Sequence, residues 1–140
     1  MYNRILIPID GSQQADKALD SAIHLATALA NGVHLTVLHV NPRLSLNVPA
    51  IGMDLEVALE EEGKNIIESA KAKLEQAGLG YDAISSGGDP ATMICQIAQD
   101  EDIDLIVMGS RGVSLISEML LGSVSHAVVQ HAHCPVLLVK

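Results

Sequence analysis

Three glycines in the last third of the chain have a spacing suited to holding phosphate groups. Gly109 and Gly112 are separated by two residues, and Gly112 and Gly122 by nine, with Ser123 directly after Gly122. Glycines let a backbone approach a ligand closely, and a helix that begins at hydroxyl-bearing residues adds N–H donors and a positive dipole end. The spacing therefore predicts a phosphate cradle. The sequence contains neither a G-x-x-x-x-G-K-[ST] nor a G-x-G-x-x-G loop, so the usual mononucleotide and dinucleotide loops are absent.

The elements that must position this cradle alternate along the chain. Short apolar runs rich in β-branched residues predict buried strands over residues 5–9, 33–40, 105–108 and Val136–Val139. A fifth strand, 81–86, alternates apolar and polar side chains, which is typical of a solvated sheet edge. Apolar residues at three- and four-residue spacing predict helices over 15–29 and 59–77. Two more helices are predicted over 89–99, where Asp89 and Pro90 suit a helix start, and over 122–131.

Strands that alternate with helices predict right-handed parallel crossovers and a three-layer α/β sandwich. In such a sheet, ligands bind beyond the carboxyl ends of the strands, where the strand order reverses. The predicted first, second and fourth strands end near Asp10, Val40 and Gly109, so these positions are candidates for a site. The one long connection, 41–53, mixes prolines and a glycine with apolar residues, so we expect it to fold over another part of the protein or a ligand, as a lid or a binding segment.

Composition excludes several classes of function. A chain of 140 residues that is 49% hydrophobic predicts a single globular domain over residues 1–140. The formal net charge of −9 argues against nucleic-acid or anionic membrane partners, and the 1% aromatic content leaves no stacking platforms. No apolar run approaches membrane-span length and no signal-peptide layout is present, so we expect a cytoplasmic protein.

Several motifs, each weak alone, together resemble the universal stress protein family over essentially the whole chain. They are Ile5-Leu6-Ile7-Pro8-Ile9-Asp10-Gly11-Ser12, Gly88-Asp89-Pro90, Leu105-Ile106-Val107-Met108-Gly109-Ser110-Arg111-Gly112, the Gly-x2-Gly-x9-Gly-Ser spacing, and His131-Ala132-His133-Cys134-Pro135-Val136-Leu137-Leu138-Val139. The resemblance implies a Rossmann-like fold of the adenine nucleotide alpha hydrolase type. Its parallel sheet would have five strands in the order 3-2-1-4-5, with helices on both faces.

The resemblance also implies a stress-response or signalling module that binds ATP or a related adenine nucleotide, because this chain keeps the glycine spacing of the ATP-binding branch. Asp10 would meet the ribose and phosphate region, and Val40 would contact adenine. The full set of residues implied to contact the nucleotide is Pro8, Ile9, Asp10, Val40, Met108, Gly109, Arg111, Gly112, Gly122, Ser123, Val124 and Ser125. The family likeness further implies a homodimer that pairs the edge strands Val136–Val139.

The candidate site residues include few cations to neutralise the negative charges of ATP. Arg111 is the one cation among the candidate residues, so amide donors and a divalent ion, Mg²⁺ or Mn²⁺, must supply most of the compensation. Asp10 is the nearest carboxylate for a water-mediated metal contact. It suits equally well a capping role at the turn before the first helix, and both roles stay open.

The same residues leave two other functions open. A slow ATPase is one alternative, although no candidate residue is an obvious general base, so no catalytic residue is predicted. A nucleotide-free, dimeric interaction module is the other. Zinc at His131, His133 and Cys134 lacks a clear fourth ligand. A buried, unreactive thiol is the better interpretation of Cys95, and His131 suits a helix C-terminus.

Overall fold

The computed structural model describes residues 2–30, 32–41, 49–111 and 121–140. Strands and helices alternate throughout. The elements are β1 (Arg4–Pro8), α1 (Gln13–Leu29), β2 (His34–Asn41), α2 (Pro49–Ala77), β3 (Tyr81–Gly87), α3 (Pro90–Asp100), β4 (Leu105–Gly109), α4 (Ser123–His131) and β5 (Val136–Val139). None of the helices in these ranges has the length and apolar character that spanning a lipid bilayer requires.

The strands form one parallel sheet in the order β3-β2-β1-β4-β5, as predicted. The chain proceeds outward from β1 through β2 to β3, and then returns to the other side of β1 to add β4 and β5. The connections that follow β1 and β4 therefore diverge. This divergence leaves a crevice at the carboxyl ends of the two central strands, which is where open parallel sheets bind their ligands.

Helices cover both faces of the sheet because alternate residues of each strand point to opposite sides. Ile5 and Ile7 belong to a core shared with α1 and α2, in which Leu74 is fully buried. Leu6 belongs to a second core shared with α3 and α4, in which Val128 is fully buried. The two cores confirm the predicted three-layer sandwich.

Side chains and main-chain geometry fix where the helices begin. Ser12 is the N-cap of α1 and accepts a hydrogen bond from the Ala15 N–H, as N-cap hydroxyls commonly do. Asp89 caps α3 as predicted, accepting from the N–H and the hydroxyl of Thr92. These hydrogen bonds hold the pKa of Asp89 below its ordinary value. The carboxylate is therefore charged at the end of a helix where negative charge is favourable.

The prediction of an irregular connection over 41–53 is wrong for residues 49–53, which are helical. α2 begins at Pro49, well before residue 59, where the apolar periodicity places the helix start. Proline fits the first turn of a helix because the N–H that it lacks would have no partner there. The sequence pattern assigns Pro49 to the loop and therefore predicts a helix start that is too late. Residues 42–48 lie outside the described residues, so a lid over them stays a prediction.

β3 and β5 form the two edges of the sheet. No residue of β3 is buried, which fits the solvated edge that its alternating pattern predicts. β5, at the opposite edge, is also without a buried residue, and its Leu137 is 43% exposed. As predicted, β5 is an apolar edge strand, with no partner on its outer side among the described residues of the single chain.

Candidate functional site

A cavity of about 450 Å³ opens at the carboxyl ends of β1, β2 and β4. This volume lies in the range of small-molecule sites, and the lining is mainly apolar with a few polar groups. Every predicted site residue within the described ranges lines it. Those residues are Pro8, Ile9, Asp10, Val40, Met108, Gly109, Arg111, Gly122, Ser123, Val124 and Ser125. Gly112 lies outside the described residues.

One end of the cavity is the beginning of α4. Gly122 is its N-cap and, having no side chain, supplies no capping hydrogen bond. Within the described ranges, no acceptor is bonded to the N–H groups of Ser123, Val124 or Ser125. Unpaired amides at a positive dipole end form an anion-binding site. The first turn of α4 thus offers three main-chain donors at one end of the cavity.

The Ser125 hydroxyl has a different role from the one expected at a helix start. Rather than accepting from orphan amides, it donates to the Ser110 carbonyl at 2.7 Å, and the side chain is buried with 2% exposure. The Gly122 N–H donates to the same carbonyl at 2.8 Å. Ser110 therefore ties the end of β4 to the start of α4. Ser125 contributes its N–H, and not its hydroxyl hydrogen, to the predicted site.

The amide of Arg111 is also occupied by the protein itself. Its N–H donates to the Gln14 side-chain carbonyl at 2.6 Å, so it does not turn toward a ligand as the glycine spacing suggested. Gly109 allows this contact, because a Cβ there would lie 3.0 Å from the Gln14 main chain. Sequence reasoning missed Gln14, since nothing in a single sequence indicates which helix residue reaches the end of a neighbouring strand.

Asp10 lies between the two ends of the cavity, just beyond β1. Its Oδ1 accepts from the Ser12 N–H at 2.9 Å, so it shapes the turn before α1. This satisfies the capping role that the sequence left open. The carboxylate also lines the cavity. Its second oxygen is bonded to no group in the described part of the chain, which leaves an acceptor for a hydroxyl or for a metal-bound water.

The opposite end of the cavity lies at the end of β2 and is apolar. Val40 lines it, together with Leu59 and Ile66 from α2 and Ile94 from α3, whereas Met108 lines the cavity from β4. Aliphatic walls replace an aromatic platform here, as the composition requires. The α2 residues were missed, because that helix was predicted without knowing which face covers the crevice.

Two polar residues also stand at this apolar end and were missed by sequence reasoning. His39 is buried with 6% exposure, and its Nδ1 lies 3.0 Å from the carbonyl oxygen of Ile9. Its Nε2 lies 2.9 Å from Oδ1 of Asn41. α2 closes over both at Gly63, where a Cβ would come within 2.8 Å of the His39 ring. The pair is thus held by β1, β2 and α2.

Comparison with known proteins identifies the chain. The model of the universal stress protein family matches residues 1–140. The chain belongs to this family. A universal stress protein of Bacillus subtilis, YxiE, is 39% identical over 150 residues, covering all of both chains. The match to the universal stress protein family therefore extends over all 140 residues of the sequence.

Solved structures agree with that membership. The structure of hypothetical protein MJ0577, from Methanocaldococcus jannaschii, is 37% identical with a TM-score of 0.92, covering 100% of this chain and 96% of that one. A universal stress protein crystallised in complex with cAMP is 26% identical with a TM-score of 0.75, covering 99% and 97% respectively. The Rossmann-like arrangement of this universal stress protein is therefore the fold of its relatives.

The thiols of this universal stress protein are protonated packing groups. Burial raises the pKa of Cys95, and burial together with the charge of Asp104 raises that of Cys134. Both side chains pack against the core beneath α3 and α4. Over the ranges that the structure describes, no three His, Cys, Asp or Glu residues are grouped as metal ligands. His131, in the last turn of α4, stands where a cation is favoured by the helix dipole.

Proposed function

We propose that this universal stress protein binds an adenine nucleotide, with ATP as the predicted form, and acts as a stress-linked signalling module. One observation carries the proposal: α4 amides without an acceptor in the described part of the chain lie at one end of the cavity, and an apolar slot lies at the other. β2 and β4 flank β1, so the ends of these two strands are about 10 Å apart, which is two strand spacings. A nucleotide has the same two ends, an anionic phosphate chain and an apolar base face.

The parts of a nucleotide fit the cavity in one direction. Phosphates at the start of α4 would receive main-chain N–H donors, and the base would lie between Val40 and Met108. Asp10 stands between the ends, where its free oxygen would accept from a ribose hydroxyl. The relative crystallised with cAMP supports a ligand of this class. The opposite direction would place phosphates against aliphatic walls and leave the α4 amides unpaired.

Electrostatics requires a cation with the phosphates. Asp10 and Glu62 both line the cavity, and Arg111 is the one cationic lining residue in the described ranges. Amides alone do not neutralise a triphosphate next to two carboxylates. We propose that Mg²⁺ or Mn²⁺ accompanies ATP, held by the phosphates and by water bridging to Asp10, because Mg²⁺ commonly keeps several waters and few protein ligands.

Calorimetry with ATP tests the nucleotide and the metal together. We expect wild type to bind ATP with Mg²⁺ present and to bind about tenfold more weakly after chelation of the metal. Asp10→Asn keeps an oxygen that can accept from the Ser12 N–H but removes the charge, so its affinity should depend less on Mg²⁺. Absence of ATP binding by wild type would overturn the proposed function. An unchanged metal dependence in Asp10→Asn would remove only the bridging role of Asp10.

Binding, rather than turnover, is proposed as the activity. His39 lies at the base end, distant from the α4 amides, and its ring nitrogens already have partners. Asp10, whose Oδ1 holds the Ser12 amide, is assigned to the ribose and metal. Neither residue is therefore free to activate a water at the terminal phosphate. Phosphate release by wild type, above that of an Arg111→Ala control, would favour the slow ATPase instead.

We propose in addition that two copies pair along β5. The strand is an apolar sheet edge with Leu137 43% exposed, and Val129 of the neighbouring helix α4 is 47% exposed. Two such edges would cover each other in an isologous contact. We expect Leu137→Lys to convert a dimer into a monomer in light scattering, whereas Val57→Lys, at another exposed apolar position, should not. A wild-type monomer at micromolar concentration would contradict the proposal.

A further inference from the structure

The hydrogen bond between His39 and Asn41 depends on which nitrogens of the His39 ring carry a hydrogen, and this affects which base fits the cavity. Nδ1 of His39 faces the carbonyl oxygen of Ile9 at 3.0 Å, and a carbonyl can only accept. Nδ1 therefore carries a hydrogen in every state of the ring that keeps this contact. The role of the second nitrogen, Nε2, then depends only on whether the ring is neutral or charged.

The protonation of His39 decides which way the Asn41 amide turns. In the charged ring Nε2 is a donor, and it matches the Asn41 Oδ1 that lies 2.9 Å away. In the neutral ring Nε2 is an acceptor, so the amide must turn over and donate its NH₂ group instead. Either way, one half of the amide is held by His39. The other half has no hydrogen-bond partner among residues 2–30, 32–41, 49–111 and 121–140, and Asn41 lines the cavity.

Building on the proposed function, we infer that Asn41, oriented by His39, selects the base of the nucleotide. With neutral His39 the Asn41 carbonyl faces the cavity and accepts a hydrogen bond from the 6-amino group of adenine. With charged His39 the NH₂ group faces the cavity and suits the 6-oxo group of a purine such as hypoxanthine. A site that presents only an acceptor rejects a base that presents an acceptor there, and a site that presents only a donor rejects a base that presents a donor. In either case the polar group of the site would be buried without a hydrogen bond.

The surroundings make this orientation well defined. Gly63 of α2 packs so closely that a Cβ would lie 2.8 Å from the His39 ring and 2.9 Å from Asn41 Oδ1. Turning the ring over would also take Nδ1 away from the Ile9 carbonyl, whereas the amide can turn over and keep a polar group on Nε2 in either orientation. The Asn41 amide is therefore the group of the pair that is left to adjust when His39 changes its charge.

Other charged residues line the same cavity, and their effect on binding must be distinguished from that of His39. β1 is followed by Asp10, α2 presents Glu62, and β4 is followed by Arg111, whereas α3 contributes only Pro90 and Ile94. β3 places the neutral Ser85 beside His39 in the sheet. Glu62 precedes Gly63, so it is the carboxylate for which a control is needed. Glu62→Gln removes its charge while leaving the pair intact.

Calorimetry with AMP and IMP at pH 8 and pH 5.5 tests the inference. The two nucleotides share the same phosphate and ribose, so titration of these groups cancels in the ratio of their affinities. For wild type and for Glu62→Gln we expect AMP to be preferred about tenfold at pH 8, and the preference to shrink or reverse at pH 5.5. Asn41→Ala should bring the ratio near one at both pH values.

Asn41→Asp is the conservative variant that separates hydrogen-bond sense from packing. An ionised carboxylate can only accept, so Asp at this position should keep the AMP preference at pH 8 and retain it at pH 5.5. A role limited to packing would not produce this difference between Ala and Asp. Thermal unfolding of each variant confirms that it is folded before its affinities are compared.

The outcomes distinguish this inference from the function on which it rests. Wild type that binds neither nucleotide would remove both the proposed function and the selection by Asn41. Wild type that binds AMP, with a ratio unchanged by Asn41→Ala and by pH, would overturn only the inference. The wild-type pH comparison needs no substitution, so a variant that fails to fold does not prevent the test.

Discussion

Replacing Gly122 with Asp is expected to abolish nucleotide binding without lowering stability. An Asp at the N-cap accepts hydrogen bonds from the N–H groups of the first helical turn, and it is preferred over Gly at that position by a few tenths of a kcal/mol. Those N–H groups belong to Ser123, Val124 and Ser125, for which the described residues provide no acceptor. The carboxylate would take the place of a phosphate and repel the nucleotide.

The magnitude follows from the number of donors lost. Each hydrogen bond to a charged group is worth about 1.5–3 kcal/mol. Losing two of them weakens binding by about 100-fold or more before like-charge repulsion is counted. Calorimetry with Mg-ATP and a thermal melt on the same sample check both halves of the prediction.

Two matched variants at Gly122 separate charge from occupancy. Gly122→Asn caps the helix with a neutral group of the same shape, so it should weaken ATP binding less than Asp does. Gly122→Ala adds only a methyl group and cannot cap, so most of the affinity should remain. If Gly122→Asp bound Mg-ATP as wild type does, the phosphates would not lie at the start of α4.

Gly63→Val is expected to lower the free energy of unfolding by about 3 kcal/mol, through overpacking against a ring that cannot move aside. A Cβ at this position lies 2.8 Å from a His39 ring atom, and hydrogen bonds hold the ring at both nitrogens. The side chain would have to push α2 away from the end of β2. For a domain of this size, we expect the melting temperature to fall by about 10 °C.

Helix propensity supplies the control for this prediction. In an open helix, Gly→Ala stabilises by about 1 kcal/mol, but at Gly63 the expected overpacking of about 1–3 kcal/mol outweighs it. Gly63→Ala should therefore melt below wild type, and Glu61→Val, on the exposed side of α2, should change stability by less than about 1 kcal/mol. A Gly63→Ala variant more stable than wild type would show that α2 does not press on His39.

Patterns within single elements carried most of the fold. Strand runs, helix periodicity and the Asp89-Pro90 start are local signals, and the strand order came from the resemblance of ordered motifs. The predicted start of α2 is wrong because proline is common both in loops and in the first turn of a helix. Pro49 lies in the first turn of α2, whereas the sequence pattern assigns it to the loop. Local residue type alone does not separate those two contexts.

The candidate site divides along the same line. Glycines and hydroxyls next to strand ends are visible in the sequence, so the residues around α4 and β4 could be named. Gln14 and Gly63 act through contacts between elements distant in the chain, and their roles appear only when packing distances are known. His39 lies inside an apolar strand and gives no sign, by sequence, of the partners on its two nitrogens.

Ser110 gives the molecule an internal linkage that amino-acid replacement cannot easily sever. Its carbonyl receives the Gly122 amide at the mouth of the crevice, while its own N–H donates to the carbonyl of Val139 in the outermost strand. Both bonds use backbone atoms, and the peptide units that carry them are rigid and planar. A displacement of the first turn of α4 is therefore transmitted through Ser110 to β5, the edge strand proposed to pair with a second copy. Substitutions at Ser110, Gly122 and Val139 would therefore change the side chains and keep both hydrogen bonds.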